Sequence, residues 1–510
     1  MMNRLLLLAG LSICFVTFVH AQKITYSEPD KDDSRQLNFD VIGKLNDHFL
    51  IYKNIRNRYS ISMLDANDMK LLGKQDLAFL PDHVLGVEFL THRDFFYVFY
   101  QYQHRNSVIS AYAKLDGNIK LLEDPVVLDT TQINYSSNNK IYTFINSDDK
   151  KKVLVFKINS KDERNYIVTT FLYGENMALQ KKSVLNIKMP DRSDFLNEFS
   201  VDNDGDVVFL KPTGSSQKDN ITKLTLFYKP AMEDTALSYD ITLSKIYLDD
   251  IRLKVDNANK NYLITSFFSK SRRGNIDGLY ASIWNKNSRT EKATNNIVFT
   301  DELRAEAKND GSSKTAFNDY FLQNIVMRKD GGFVIASESA YTSSRGGMYN
   351  RWDYLYGSPF WSPMSSYYYY SPFYNYYYPW GRYNSFNNYA INRYYADNIA
   401  ILSFDSSANM EWGNVIKKSQ FDDNTDNFIG YTTYNSGSEV HFIFNQAEKR
   451  TTLLNDQSVD GRGQITRNPT FRNLDKGYDF MPRYAKQLGA RTLLVPCQYR
   501  NYICFAKIEF

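Results

Sequence analysis

The sequence predicts an all-β protein, a single β-propeller of seven or eight four-stranded blades. Three observations point there: a strand–turn–strand unit recurs along the whole chain, a second hairpin often follows it, and helical periodicity is nearly absent. The first unit pairs a few alternating apolar residues with a denser apolar strand across a polar turn. It occurs around Asp47, Arg93, Asp149, Asp204, Asn259, Asp330, Gly437 and Gly489. Most adjacent centres lie 46 to 56 residues apart, with longer steps either side of Asp330. Propeller blades repeat at roughly 40–50 residues.

The second hairpin is clearest in SISMLDANDMKLLG, SAYAKLDGNIKLLED and AILSFDSSANMEWGN. Each opens its turn with an aspartate (Asp65, Asp116, Asp405), whose carboxylate can accept backbone N–H bonds inside the turn. Two hairpins give four antiparallel strands, which is one blade. Eight units count out to eight blades, with seven the nearest alternative. Two β-sandwiches would also show short strands and regular turns, but units of similar length running the whole chain favour the ring. A ring must cover its last strand edge. The expected closure pairs Lys23 to Ser27 with Phe505 to Phe510. Only DELRAEAK, Asp301 to Lys308, reads as helix, and it falls between units.

The N-terminus reads as an export signal. Met1 to Arg4 are positive, Leu5 to Val19 are apolar, and Val19-His20-Ala21 offers small residues where a signal peptidase cuts. The apolar run is short of the roughly 20 residues that span a membrane, and no later run reaches that length. Residues 1–21 are therefore expected to be a signal peptide and 22–510 the propeller, with a periplasmic, outer-surface or secreted location. Cys14 raises a lipoprotein signal, but Ile13 stands where such signals carry a small residue.

Charge and motifs mainly exclude. The net charge of +4 is spread along the chain, without the basic stripe of a nucleic-acid surface. The histidines His48, His83, His92, His104 and His441 show no metal-ligand spacing, and there is no H-E-x-x-H, C-x-x-C, G-x-S-x-G or P-loop. No cofactor and no metal is expected. Asp202, Asp204 and Asp206 alternate as calcium ligands can, yet an EF-hand loop needs Gly at its sixth position and Glu at its twelfth. This segment has Val207 and Thr213 there, so it reads as a hairpin turn. Cys497 and Cys504 flank the two-residue turn Arg500-Asn501. Opposed on neighbouring strands, they could form a disulfide or stand as two buried thiols.

Two features bear on function. GGFVIASES at Gly331 to Ser339, followed by NIAILSFDSSANMEW at Asn398 to Trp412, resembles repeats of exported bacterial β-propeller proteins of uncharacterised function. Those repeats run Gly-Gly-aromatic, an apolar run, then Asp-x-x-Gly-x-apolar-x-Trp, and Ala408 stands where they usually carry Gly. The resemblance implies the fold and an exported location, and it brings no catalytic residues.

The second feature interrupts that unit. Met348 to Ala396 is rich in Tyr, Pro, Ser and Asn, with four prolines and no Lys or Glu. Ordinary loops run about 4–6 residues. Three readings fit: a low-complexity loop prone to self-association, an aromatic platform for a glycan or envelope protein, or a lid over the propeller. Trp352, Trp361, Trp380, Tyr368 and Tyr377 are the candidate contact residues. The leading expectation is a non-enzymatic binding module for an envelope protein or glycan. Its rivals are a carbohydrate-active hydrolase or lyase with acids in the central channel, and a self-associating structural protein.

Overall fold

The computed structural model describes residues 23–510, apart from 31–36, 134–139, 215–219, 309–311, 345–346, 349–391, 449–450, 471–476 and positions 163, 192 and 424. Eight antiparallel sheets succeed one another along the chain. Their first strands are Leu37–Leu45, Val84–Thr91, Tyr142–Asn146, Asn197–Val201, Arg252–Asp256, Tyr320–Met327, Tyr431–Asn435 and Lys486–Gly489, in blades 1 to 8. These strands approach one another about a common axis, so the chain is an eight-bladed propeller with its first strands innermost.

Burial explains the pattern within a blade. Middle strands are sandwiched between neighbouring blades and are buried on both faces, as Asn261–Ser269 is throughout its length. Outermost strands face solvent, and Leu71–Asp76 is largely polar and exposed. Among the described residues the core divides into eight clusters, one at each blade boundary. Between blades 3 and 4, Phe156, Phe199, Phe209 and Phe227 stack in series, with ring centroids 4.4 to 4.9 Å apart.

The turns follow residue chemistry. Asn46-Asp47 and Arg56-Asn57 each take positive φ at both positions, the geometry of a two-residue hairpin turn. Asp65, Asp116 and Asp405 accept backbone N–H bonds two to four residues ahead, as expected. Ala408 sits at φ 61°, the left-handed region that costs an L-residue roughly 1–2 kcal/mol. That geometry is a reason for the glycine usual in the repeats it resembles. The helix Asp301–Ala307 is capped by Thr300, whose side chain accepts from the Leu303 N–H. It lies between blades 5 and 6 and adds Leu303 and Ala307 to their shared core. No described helix is long and apolar enough to cross a membrane.

The chain's ends close the ring. Lys23–Tyr26 pairs antiparallel with Tyr502–Glu509, from Lys23 opposite Glu509 to Tyr26 opposite Ala506. Blade 8 then grips blade 1. Lys507 Nζ donates to the carbonyls of Ala66 and Asn67, at 2.9 Å each, and Asp30 pairs with Lys53. Cys497 lies directly opposite Cys504 in this closing blade. Both are buried free thiols, with Sγ atoms 2.9 Å apart.

Deleting Lys23–Ser27 bares the edge of Tyr502–Glu509 and takes Ile24 and Tyr26 from the core between blades 7 and 8. We expect a lower urea midpoint and concentration-dependent association in light scattering. An unchanged midpoint would show that closure does not depend on this strand.

Candidate functional site

The meander sorts its connections onto two faces. Turns from first to second and from third to fourth strands lie on one face, the turn face. Connections from second to third strands, and from blade to blade, lie on the other. This loop face carries the Asp301–Ala307 helix and the ends of Phe333–Ser344 and Asn392–Phe404, between which the tyrosine-rich stretch falls in sequence.

Blade 6 is extended at that face. Its middle strands, Phe333–Ser344 and Asn392–Phe404, form an arm that includes the last residues of the tyrosine-rich segment. Phe421–Asp423 pairs along one side of the arm, and Gly347–Met348 folds back on the other. Tyr341 and Tyr395 stack across it with centroids 4.5 Å apart, and Tyr341 Oη donates to Asp397 at 3.0 Å. Arg393 grips Asp423 through two N–H bonds, at 2.7 and 3.1 Å. Its guanidinium lies 4.6 Å from the ring of Phe421, which is 59% exposed. Burial, with the charges of Asp423, Asp426 and Asp479 adding, pushes Asp422 up to about 6. Trp352, Trp361, Trp380, Tyr368 and Tyr377 lie outside the described residues.

A second cluster lines the axis. Asp40 of blade 1, Glu88 of blade 2, Glu198 of blade 4, Arg252 of blade 5 and Lys486 of blade 8 stand on first strands, and Lys140 precedes that of blade 3. Acids and cations meet across blade boundaries. Glu88 Oε1 lies 3.5 Å from Lys140 Nζ, and Glu198 lies 3.6 Å from Arg252. Lys486 donates to the carbonyls of Val41 and Ile42, at 2.7 and 3.1 Å, and its charge acts on Asp40. Burial raises Asp40 to about 6 against the pull of Lys486. It raises Glu88 to about 7 against Lys140, and Asp40 adds to that rise. Burial also lowers Lys140 to about 8. Groups pushed toward neutrality are what acid–base and switching sites use.

A third cluster accounts for Asp202, Asp204 and Asp206. Asp202 Oδ1 accepts the N–H groups of Asp204 and Asp206, at 3.0 and 2.9 Å, so the segment is a hairpin turn. The cation among the three carboxylates is Lys286 of blade 5, whose Nζ lies 2.6, 2.6 and 2.7 Å from them. Burial opposes its charge, but the carboxylates prevail and hold Lys286 above the usual lysine range. Tyr262 and Tyr228 donate to Asp202 and Asp206, at 2.9 and 2.6 Å. Hydrogen bonds from Lys260 and Lys286 hold Asp204 down to about 2. This is a clamp between blades. His441 is satisfied by Asp456 at 2.9 Å. Among the described residues, no group of three His, Cys, Asp or Glu is arranged to hold a metal.

The axial residues were not singled out by motif. Their signal is weaker: a charged residue interrupts, or stands just before, the first apolar strand of six units, three to nine positions ahead of the turn.

No family model and no curated protein matches this chain. Among solved structures, it is similar at 9% identity to an apocarotenoid oxygenase of Synechocystis (mutant Trp149Ala), with TM-score 0.36 over 76% of this chain and 74% of that one. It is similar at 11% identity to dihydro-heme d1 dehydrogenase NirN in complex with DHE, with TM-score 0.37 over 92% and 69%. Likeness this low carries no argument about function, which rests on the chain's own residues.

Two expectations follow. Lys286→Met leaves three carboxylates facing one another and should destabilise by roughly 3–5 kcal/mol, the cost of breaking a buried pair. Acidification should restore part of it by protonating them, a trend that urea titrations at several pH values would reveal. The double variant Glu88→Gln/Lys140→Met should instead be as stable as the parent or more so. An acid raised from 4.5 to about 7 favours folding when protonated, so that contribution is lost as pH climbs to 7. A lysine lowered from 10.5 to about 8 penalises folding below 8 and recovers above it. The pair is costliest between pH 7 and 8, and the double variant should gain most there. A gain flat with pH would refute this.

Proposed function

We propose that this chain is an exported, non-enzymatic binding propeller whose loop face recognises a protein or glycan of the cell envelope. Residues 1–21 act as its export signal in this reading. The observation that carries it is the blade 6 arm, where stacked tyrosines, an exposed Phe421 and an Arg393–Asp423 fork sit together. Flat aromatic faces bordered by planar hydrogen-bonding groups suit sugar rings and protein hot spots alike.

The axial acids fit glycoside cleavage less well. That chemistry uses two carboxyl groups flanking the scissile bond, whereas Glu88 and Glu198 each face a cation on the next blade. A second reading, a carbohydrate-active hydrolase or lyase working in the channel, is favoured by Asp40 and Glu88 being raised to about 6 and 7. Turnover on a polysaccharide panel, abolished by Glu88→Gln, would establish it over the first.

Affinity capture from an envelope extract, paired with a glycan array, tests the binding reading. It compares the mature protein with a variant lacking 349–391 and with Phe421→Ala/Arg393→Ala. We expect a partner held by the parent and weakened at least tenfold, about 1.4 kcal/mol, in both variants. A partner held equally by all three would move the site off the arm. Self-association lost on the deletion would favour a structural role.

A further inference from the structure

The chain has three cysteines, and Cys14 lies within the expected export signal. The other two stand directly opposite each other, Cys497 on Thr492–Tyr499 and Cys504 on Tyr502–Glu509, the middle strands of blade 8. Directly opposed antiparallel residues have Cα atoms about 4.5–5.5 Å apart, inside the roughly 4.4–6.8 Å that a disulfide accepts. The Sγ atoms are 2.9 Å apart, so a bond of about 2.0 Å needs them to close by about 0.9 Å. Both side chains enter the apolar cluster between blades 7 and 8, with Phe480, Val495, Ala506 and Ile508. Two thiols used only as small apolar fillers have no need of such opposition.

We propose that Cys497 and Cys504 form a disulfide while the chain folds, and that closure of the ring then seals it. The oxidant is a disulfide, either a small molecule or an oxidoreductase. One cysteine, as thiolate, attacks a donor sulfur, forming a mixed disulfide and releasing a donor thiolate. The second cysteine, as thiolate, attacks the mixed disulfide at the first cysteine's sulfur and releases the other donor sulfur. One S–S bond forms and one breaks. The two protons lost by the cysteines end on the two donor thiols, and the donor is reduced by two electrons.

The order of events follows from burial. Both cysteines are 0% exposed. Lys23–Tyr26 lies along the strand of Cys504, with the Ser27 N–H on the Phe505 carbonyl, and Phe480 lies opposite Cys497. Burial also raises the Cys497 thiol well above its usual range, which starves exchange of the thiolate it uses. The hairpin itself is local, with the turn Arg500-Asn501 between its strands, so the sulfurs meet before the neighbouring blades pack. The bond therefore records the redox conditions met during folding, and the finished ring preserves that record. An oxidising compartment, as in the exported setting proposed above, would supply the donor. The bond itself does not rest on that reading.

The test is cell-free synthesis of residues 22–510 under two glutathione couples, followed by iodoacetamide labelling and intact mass measurement. One couple is poised at about −180 to −210 mV, and the other holds excess reduced glutathione. No membrane is crossed, so failure here counts against the bond and leaves the export reading to its own test. We expect the oxidised preparation to take no label in urea and to weigh two hydrogens less than the reduced one. The reduced preparation should take two labels in urea and none when folded. Dithiothreitol should cleave the bond at least about a hundredfold more slowly in the folded chain than in urea, since a sealed sulfur is reached only by opening. The oxidised parent should have the higher urea midpoint, and Cys497→Ala/Cys504→Ala the same midpoint from both couples. Two labels on an oxidised preparation with the parent's circular dichroism would overturn the bond. Cleavage as fast in the folded chain as in urea would overturn the seal.

Discussion

The ladder between Lys23–Tyr26 and Tyr502–Glu509 is the contact on which the rest of the ring depends. Every other blade boundary joins segments that follow one another in sequence. The boundary between blades 8 and 1 joins the two ends of the described chain, and the ladder completes blade 8 with the strand that leads into blade 1. The cluster there, with Ile51, Phe49, Leu494 and Phe505, forms only once the full turn of blades is in place. Contacts at such sequence separation carry a loop-closure cost that nearby contacts do not. Side chains also tie the closing boundary, among them Lys507 to the Ala66 and Asn67 carbonyls and Lys486 to those of Val41 and Ile42.

Cations serve as connectors between blades throughout. Lys286 fills a nest of three carboxylates on the turn face, where every charge finds a partner within 2.7 Å. Lys418 and Arg483 converge on Glu338, with Lys418 at 2.8 Å and 1% exposure on both sides. The second of these is sealed, whereas Asp204 of the first stays half exposed. The Glu88–Lys140 pair uses the same residue types at a longer 3.5 Å, with the lysine Nζ buried.

The strands, the eight turn centres, the turn-opening aspartates and the closing strand were all legible in the sequence. Each depends on residues within about ten positions of one another, or on the requirement that a ring have no open edge. The single helix was legible for the same local reason. What sequence could not supply were partners on neighbouring blades. Asp202, Asp204 and Asp206 read as a hairpin turn, and their partner Lys286, some eighty residues on, is visible only once blades 4 and 5 are side by side. The aromatic residues of the insertion stood out by composition, while the Tyr341–Tyr395 stack at its root depends on strand register that composition does not carry.

The sorting of connections onto two faces gives the molecule an engineering polarity. Turns such as Asn46-Asp47 are locked by positive φ and by the register of the strands they join. Chain length on that face is a fixed quantity. On the opposite face it is a free one: blade 6 accommodates residues 345–391 between paired strands while the eight boundary clusters stay intact. A guest domain spliced at the tip of the arm would be carried without touching the scaffold, and the same guest at Asn46-Asp47 would have to undo a hairpin. The propeller can be lengthened from one side only, which leaves the other free to lie flush against a flat surface.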